Sequence, residues 1–316
     1  MRFLFVMDPA EGMLADRDTS FALMRGAQAR GHACFHALPR ELTNHGQALL
    51  ATCRTITVSD APPHVTLGAA EVVEVSKLDA VWVRKDPPFD VGYLHLTQQL
   101  DLVAKGTLVI NAPRGLRDAN EKLFAFQFAR WMPRSLVSAD RGRLLGFLEE
   151  VGGLAVLKPL DGYGGLGVVA LSHADRNTRS LVDLLTHEGH ELALIQEYLP
   201  AIREGDKRVL LLDGQLLGAI LRVPREDDLR ANIHVGGRVE PTSLSPAERA
   251  LVEDIGPQLR ARGLYFVGLD LIGEKLIEVN VTSPTGIQEL GRFTGTRPEE
   301  QVIAWAESAV RSRSAG

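Results

Sequence analysis

The chain has 316 residues, of which 45% are apolar and 24% charged, with a formal net charge of −5. This length exceeds one typical core and predicts two or three compact units, and the balanced composition excludes disordered and fibrous proteins. The negative charge disfavours a protein that coats nucleic acid, and no apolar run approaches the roughly 20 residues of a membrane span. With two cysteines, Cys34 and Cys53, and no secretory leader pattern, we expect a reduced, cytoplasmic, soluble protein.

The first third of the chain alternates short apolar runs with amphipathic segments. Residues 3–7 have the pattern of a buried strand, and residues 20–30 have helical spacing with Gly31 as the C-cap. Further strands are predicted at 33–38, 72–75, 80–84 and 107–110, a helix at 91–105, and an additional hairpin at 52–59. Strands that alternate with helices indicate a parallel sheet covered on both faces, so we expect a Rossmann-like α/β domain over residues 1–118.

The middle of the chain predicts a second, smaller unit over residues 119–202. Asp118 or Asn120 can cap a helix that runs to Trp131 and ends at Pro133. Helices are also predicted at 140–150 and before residue 187, and strands at 154–158, 168–171 and 192–198. This order indicates an α+β unit with an antiparallel sheet.

The last third, residues 203–316, predicts two hairpins and two helices. The apolar runs on either side of Asp213-Gly214 give the strongest short hairpin signal in the chain. Ser245 at the N-cap and Pro246 at the first helical position predict a helix that ends near residue 262. A second hairpin is predicted at 265–281 and a closing helix at 299–311, with a polar loop at 225–238 after the first hairpin.

A glycine-rich stretch at residues 162–167, GYGGLG, matches the dinucleotide-binding fingerprint letter for letter. That fingerprint requires a following helix, whereas residues 168–171 predict a strand, so we reject the dinucleotide interpretation. A glycine loop between two strands is typical of a flap over nucleotide phosphates, because residues such as Gly164 and Gly165 let backbone N–H groups approach the oxygens. Lys158, on the entering strand, would neutralise phosphate charge. An ordinary glycine hairpin is the alternative.

Three oxygen-bearing side chains interrupt the apolar strands of the second hairpin, namely Asp270, Glu278 and Asn280. Residues two apart on a strand point to one face, so Glu278 and Asn280 are neighbours. A two-residue turn would send Asp270 to the opposite face, and we predict instead a three-residue loop at 273–275, with the bulge that such loops favour, that pairs it with Glu278. Facing carboxylates repel unless a cation lies between them, and such hard ligands suit Mg²⁺. A solvated polar sheet face is the alternative.

Seven short stretches carry a resemblance that runs nearly end to end. They are residues 7–9 with 18–21 (MDP, DTSF), 84–90 (RKDPPFD), 117–124 (RDANEKLF), 157–162 (LKPLDG), 197–200 (EYLP) through 205–208 (GDKR), and 268–270 (GLD) through 278–284 (EVNVTSP). In this order they resemble the bacterial glutathione synthetases, a family of ATP-grasp enzymes. The resemblance implies an ATP-grasp fold with an N-terminal parallel-sheet domain, a small antiparallel lid domain and a C-terminal α+β domain, with ATP between the last two.

The resemblance also implies site residues and a quaternary state. The implied ATP-binding residues are Lys122, Lys158, Gly164, Gly165, Glu197, Tyr198, Leu199, Asp206 and Arg208, with 197–199 as the hinge that contacts adenine. Two Mg²⁺ ions, or Mn²⁺, would be held by Asp270, Glu278 and Asn280, with Glu278 bridging. Arg222 and Arg230 would face the reacting carboxylate and γ-phosphate, Arg84 would lie near the dipeptide, and Ser283, Pro284, Thr285 and Gly286 would lie at the amino-acid end. The family further suggests a homo-oligomer, a tetramer, with no nucleic-acid or membrane partner.

The implied reaction joins γ-glutamylcysteine to glycine through an acyl phosphate, giving glutathione, ADP and phosphate. Lysines and Mg²⁺ would absorb charge on the phosphoryl oxygens, Arg222 would stabilise the tetrahedral oxyanion, and residues 226–237 would close over the intermediate. Residues 230–237, RANIHVGG, depart from the usual family pattern and are closer to ATP-grasp enzymes that append glutamate to amines or peptides. A ligase for another carboxylate–amine pair and a non-catalytic nucleotide-binding regulator therefore stay as alternatives.

Overall fold

Three β-sheets follow one another along the chain in this computed structural model, which describes residues 1–224 and 238–314. The first sheet contains β1 (Arg2–Met7), β2 (Ala33–Ala37), β3 (Leu42–His45), β4 (Ala48–Val58), β5 (Val65–Glu74), β6 (Ala80–Arg84) and β7 (Leu108–Ile110). The second contains β8 (Ser135–Ser138), β9 (Leu154–Pro159), β10 (Val169–Ser172) and β11 (Ala193–Glu197). The third contains β12 (Asp206–Leu212), β13 (Gln215–Val223), β14 (Arg238–Pro241), β15 (Phe266–Ile272) and β16 (Lys275–Asn280).

Eight α-helices cover these sheets in the described ranges: α1 (Thr19–Ala29), α2 (Val91–Asp101), α3 (Pro113–Asp118), α4 (Arg141–Glu150), α5 (Thr178–Leu185), α6 (Pro246–Ala261), α7 (Ile287–Thr294) and α8 (Pro298–Ser314). Short 3-10 helices occur at Ala10–Gly12, Pro39–Glu41, Val75–Lys77 and Pro200–Glu204, and a longer one at Phe124–Trp131. None of the helices that the structure describes is long and apolar enough to cross a membrane.

The first sheet has a parallel centre and an antiparallel edge. β1 pairs in parallel with β2 and β6, and β6 with β7, as the alternation of strands and helices predicted. Phe3 and Phe5 of β1 pack in one core with residues of α1 and α8, whereas Leu4 and Val6 enter another core with residues of α2. Both faces are therefore covered. The hairpin expected at 52–59 is larger than predicted, because β4 pairs antiparallel with β3 and with the whole length of β5.

The second sheet is antiparallel throughout, in the order β10-β9-β11-β8, which confirms the predicted α+β unit. The α-helix predicted from Asn120 to Trp131 is wrong, because the segment Phe124–Trp131 forms a 3-10 helix with non-helical angles at Phe128. Asn120 Oδ1 accepts from the N–H groups of Lys122 and Leu123, but it caps the turn that precedes the 3-10 helix, whose own N-cap residue Leu123 has no side-chain cap. Phe124 and Phe128 are both buried with ring centroids 5.6 Å apart, so aromatic packing sets the path of this segment.

The third sheet has the order β14-β13-β12-β15-β16 and contains both predicted hairpins. Asp213 and Gly214 have φ of +51° and +78°, the left-handed pair that a tight hairpin turn needs. The predicted start of α6 is also confirmed. Ser245 Oγ accepts from the N–H of Glu248, and the Glu248 carboxylate accepts from the N–H of Ser245, which forms a capping box.

Buried Asn111, directly after β7, joins the first sheet to the third. Its side-chain amide donates to the carbonyl oxygens of Phe266 at 2.8 Å and Val281 at 2.7 Å. Its side-chain oxygen accepts from the N–H groups of Tyr265 at 2.7 Å and Phe266 at 2.8 Å. These contacts use the full hydrogen-bonding capacity of the amide. One side chain thus fixes the end of a parallel strand to the start of β15.

We predict that Asn111→Ala lowers the free energy of unfolding by at least about 3 kcal/mol, because it leaves several buried backbone groups without partners. Urea unfolding of the wild type and the variant measures this difference. Asn44→Ala is the matched control, since Asn44 is exposed and accepts a single side-chain hydrogen bond from Gln99. Equal small effects of the two substitutions would contradict the joining role of Asn111.

Candidate active site

A cleft of about 980 Å³ opens where the three sheets meet. Every predicted site residue that the structure describes lines it: Arg84, Lys122, Lys158, Gly164, Gly165, Glu197, Tyr198, Leu199, Asp206, Arg208, Arg222, Asp270, Glu278, Asn280, Ser283, Pro284, Thr285 and Gly286. Arg230, the remaining one, lies outside the described residues, as does the segment 226–237 that was expected to close over the cleft. The structure therefore brings these residues together, while their individual roles stay predictions.

The acidic hairpin reaches its predicted pairing by a different route from the one expected. β15 and β16 are joined by a two-residue turn with Gly273 at φ +56°, so the three-residue loop is wrong. Ile272 pairs with Lys275, and a bulge at Ile277 then shifts the register so that Asp270 lies opposite Glu278. The extra residue that brings Asp270 and Glu278 to the same face of the sheet therefore lies in β16 rather than in the turn.

Two arginines compensate the buried charge of Asp270. Arg208 donates from Nε to Oδ1 at 2.6 Å and from Nη2 to Oδ2 at 3.0 Å, and Arg222 Nη2 lies 3.0 Å from Oδ2. Arg222 also forms a two-pronged pair with Asp206, at 2.6 and 2.8 Å. Burial alone would raise the pKa of Asp270, but Arg208 and Arg222 outweigh it and hold this pKa well below its ordinary range. The carboxylate is therefore ionised.

The hairpin side chains fit a divalent cation that is completed by phosphate oxygens. Within the described residues, no three His, Cys, Asp or Glu side chains lie close enough together to hold a metal ion. A cation at this hairpin would therefore receive two carboxylates and one amide oxygen from the protein. Asp270 Oδ2 accepts from Arg208, Arg222 and Asn280, whereas Oδ1 accepts from Arg208 Nε and keeps a second lone pair. The Asn280 amide donates through Nδ2, which leaves its oxygen for a cation, and Glu278 is partly exposed opposite Asp270. These oxygen donors are those that Mg²⁺ prefers.

Two buried lysines face this hairpin across the cleft. Lys158 Nζ donates to Gln196 Oε1 at 2.8 Å, and Lys122 Nζ lies 3.9 Å from Glu278 Oε1. Burial lowers the pKa of Lys158, and the charge of Glu278 opposes this shift. Lys122 Nζ also donates to the carbonyl oxygens of Leu160 and Gly162, at the start of the glycine loop. Both lysine side chains thus line the cleft close to the acidic hairpin.

The glycine loop connects the antiparallel strands β9 and β10, which confirms that it does not open a helix. Gly164, Gly165 and Gly167 have φ of +61°, +81° and +74°, a region that side chains disfavour. A Cβ on Gly162 would lie 2.7 Å from a carbon of Pro159. The glycines are therefore required by the loop conformation, which leaves its backbone N–H groups unscreened by side chains.

The opposite end of the cleft joins the first sheet to the segment after β16. Arg84, the last residue of β6, is buried and donates from Nε to Ser20 Oγ and from Nη2 to Pro284 O, both at 3.1 Å. Ser283 Oγ donates to Asp86 Oδ1 at 2.6 Å. The residues that were predicted for the dipeptide and for the amino acid therefore adjoin each other. The carboxyl ends of β1 and β6 form this wall, which is the usual place for ligands in open α/β sheets.

Sequence reasoning missed Glu121, which also lines the cleft. Its backbone oxygen accepts from the N–H of Val279, and its Oε1 accepts from Thr282 Oγ1 at 3.1 Å. Burial, and after it the charge of Glu278, raises the pKa of Glu121 to about 7, although Lys122 opposes this shift. The sequence offered only its position directly before Lys122, and a single neighbouring residue forms no spacing pattern from which a site residue could be predicted.

Two family models match the chain: "Prokaryotic glutathione synthetase, N-terminal domain" over residues 1–117 and "Prokaryotic glutathione synthetase, ATP-grasp domain" over residues 121–295. The glutathione synthetase of Gloeobacter violaceus is 43% identical, with 98% of each chain covered. That of Synechocystis sp. is 44% identical, with 97% of this chain and 99% of the relative covered.

Solved structures at low identity share the fold. The ATP-grasp ligase PsnB, complexed with its precursor peptide PsnA2 and AMPPNP, superposes with a TM-score of 0.63 at 16% identity over 98% of both chains. D-cycloserine synthetase DcsG gives 0.65 at 15% identity over 97% of this chain and 99% of its own. The expected ATP-grasp fold is confirmed.

We predict that Arg222→Met lowers the free energy of unfolding by about 3–5 kcal/mol, because it removes the partner of buried Asp206 and half the compensation of Asp270. The measurement is urea unfolding without nucleotide or metal. Arg238→Met is the matched control. Arg238 is exposed and paired with Glu240, so its loss should cost no more than about 1 kcal/mol. A small effect of Arg222→Met, similar to that of the control, would disprove the compensation described above.

Proposed function

The chain belongs to the prokaryotic glutathione synthetase family, and from this premise we propose how its cleft joins γ-glutamylcysteine to glycine with ATP. The observation that best supports a phosphoryl-transfer site is the meeting of buried Lys122 and Lys158 with the acidic hairpin. Cations and carboxylates that converge from different sheets suit a nucleotide phosphate chain with its divalent cation.

In this proposal ATP lies between the second and third sheets. Adenine packs beside residues 197–199, where the apolar side chains of Val156, Ile202 and Ile272 also line the cleft. The phosphates extend toward Lys122 and Lys158, under the backbone of Gly164 and Gly165. Asp206 and Arg208 lie beside the nucleotide, on the strand next to β15.

Asp270, Glu278 and Asn280 would hold the divalent cation that accompanies ATP. Bound there, the cation neutralises charge on the transferring phosphoryl group. We propose two Mg²⁺ ions, or Mn²⁺, and Glu278 would contribute to holding both. Among the residues that the structure describes, Asp270 Oδ1 accepts only from Arg208 Nε and the Asn280 amide oxygen accepts no hydrogen bond, which supports a cation at these oxygens.

The reaction divides into two displacements. An oxygen of the cysteinyl carboxylate attacks the γ-phosphorus, the bond from that phosphorus to the β,γ-bridging oxygen breaks, and ADP leaves. The uncharged amine of glycine then attacks the acyl carbon, and the bond from that carbon to the phosphate oxygen breaks. Phosphate leaves with its bonding electron pair and takes up the proton that the amine nitrogen loses. We assign Arg222, which Asp206 holds by two hydrogen bonds, to the oxyanion, and Arg230 to the same carboxylate and phosphate group.

We also propose the division into units 1–118, 119–202 and 203–316. The confinement of each sheet to one of these segments supports it. A cytoplasmic location and a homotetramer are further proposals that rest on the family resemblance.

Phosphate release from ATP and Mg²⁺, measured over a matrix of acids and amines, tests the function. We expect release with γ-glutamylcysteine and glycine together, and little with either alone. Release only with other acid–amine pairs would make the chain a different ligase. No release with any pair, despite tight ATP binding, would favour a nucleotide-binding regulator.

We predict that Glu278→Gln lowers kcat by at least about 100-fold, because a neutral amide would hold the divalent cation that neutralises phosphoryl charge more weakly than a carboxylate does. Glu274→Gln is the matched control, since Glu274 lies exposed in the turn of the same hairpin. Steady-state phosphate release measures both variants. A Glu278→Gln enzyme with near-normal kcat would refute the metal assignment.

A further inference from the structure

Three polar side chains cross the second sheet in a line, on the face opposite its core. Gln196 of the central strand β11 lies directly opposite Ser135 of β8. Lys158 of β9 lies opposite Leu194, two residues before Gln196. Residues two apart on a strand point to the same face, so Lys158, Gln196 and Ser135 are neighbours across three strands. The other face of the sheet, with Ile195, packs in the core with α4 and α5.

A chain of hydrogen bonds joins these side chains. Lys158 Nζ donates to Gln196 Oε1 at 2.8 Å, and Gln196 Nε2 donates to Ser135 Oγ at 3.0 Å. The hydroxyl of Ser135 donates in turn to the backbone oxygen of Pro133 at 2.9 Å. A hydroxyl has one proton, and Pro133 takes it, so Ser135 can only accept from the amide. The NH₂ end of Gln196 must therefore face Ser135, which turns the amide oxygen toward Lys158.

Lys158 depends on this amide more than Lys122 depends on any one of its contacts. Gln196 Oε1 is the one hydrogen-bond acceptor of the Lys158 ammonium among the residues that the structure describes, whereas Lys122 has two backbone acceptors and a carboxylate nearby. Lys158 is only 7% exposed, and an ammonium that is buried without an acceptor is unstable. The Gln196 oxygen therefore sets where the Lys158 ammonium lies.

An amide acceptor leaves the lysine able to bind an anion. The ammonium has three protons and Gln196 takes one, so two remain for a ligand in the cleft that Lys158 lines. A carboxylate in place of the amide would form an ion pair with the ammonium and weaken its attraction for phosphate. We propose that Gln196, held by Ser135, is a positioning residue that fixes the Lys158 ammonium toward the nucleotide phosphates. This inference rests on the proposed function, which places Lys158 at those phosphates.

Ser135 separates the positioning role from direct contact with the nucleotide. Gln196 lines the cleft and could touch a nucleotide itself, whereas Ser135 does not line it. A loss of phosphate affinity in a Ser135 variant would therefore be transmitted through Gln196 and Lys158.

Binding of ATP with Mg²⁺ and binding of adenosine, both measured by displacement of a fluorescent ATP analogue, test the inference. We expect Gln196→Met to raise the Kd for ATP by about 10-fold, as for the loss of a hydrogen bond to a charged group. Ser135→Ala should raise it by about 2- to 5-fold, as for a hydrogen bond between neutral groups. Neither substitution should change the Kd for adenosine, because adenosine has no phosphate, and unchanged adenosine binding also shows that the cleft is intact.

A double-mutant cycle with Lys158→Met shows whether Gln196 acts through the lysine. A positioning residue has no effect once the group that it positions is gone, so Gln196→Met should cause no further loss of ATP affinity in the Lys158→Met background. Ser138→Ala, on the same strand as Ser135, is the matched control and should bind both ligands like the wild type. Its Oγ accepts from the N–H of Asp140, and it does not line the cleft.

Equal losses of affinity for ATP and adenosine, or the same loss of ATP affinity with and without Lys158, would overturn the positioning role alone. In both cases phosphate release by the wild type with γ-glutamylcysteine and glycine would leave the proposed function standing. A wild-type chain that binds ATP no more tightly than adenosine would overturn both.

Discussion

The compensation of Asp270 by two arginines is the interaction on which the cleft depends. A carboxylate buried between apolar strands must be paired, and adjacent strands of the third sheet supply Arg208 and Arg222 for this purpose. The pairing keeps Asp270 ionised and turns both guanidinium groups toward the cleft, where the proposed reaction needs positive charge. The same contacts thus serve the structural pairing and the placement that the proposed reaction needs. The bulge at Ile277 completes the arrangement, since it brings Glu278 opposite Asp270.

The distribution of hydrophobic cores shows which parts of the molecule form one block. Side chains of the first and third sheets, such as Val81 and Leu269, share a core, and Asn111 ties the same two sheets by hydrogen bonds. The second sheet has a separate core with α4 and α5. The second sheet, whose β9–β10 connection is the glycine loop, therefore packs with α4 and α5 as a body of its own. Lys122 bonds to the start of this loop and lies close to Glu278, so it links the two bodies across the cleft.

The sequence sufficed wherever local chemistry decides the structure, as in the Asp213-Gly214 turn, the capping box of Ser245 and the rejected dinucleotide fingerprint. Prediction from sequence failed where tertiary packing determines the structure. The residues at 273–275 were compatible with a turn of two residues or of three. The bulge that places Ile277 and Glu278 on the cleft side depends on the fit of β16 against β15. Asn111 gave no signal, because its role comes from backbone groups that are distant in sequence.

The central claim is that the substrate carboxylate is phosphorylated within this cleft before the amine attacks. γ-Glutamylcysteine with heavy oxygen in its cysteinyl carboxylate tests this most directly, when it is turned over with glycine, ATP and Mg²⁺. The acyl-phosphate route breaks the bond between the acyl carbon and the phosphate oxygen, so mass spectrometry should find one labelled oxygen in each released phosphate. Released phosphate without label, alongside the formation of glutathione, would contradict the account.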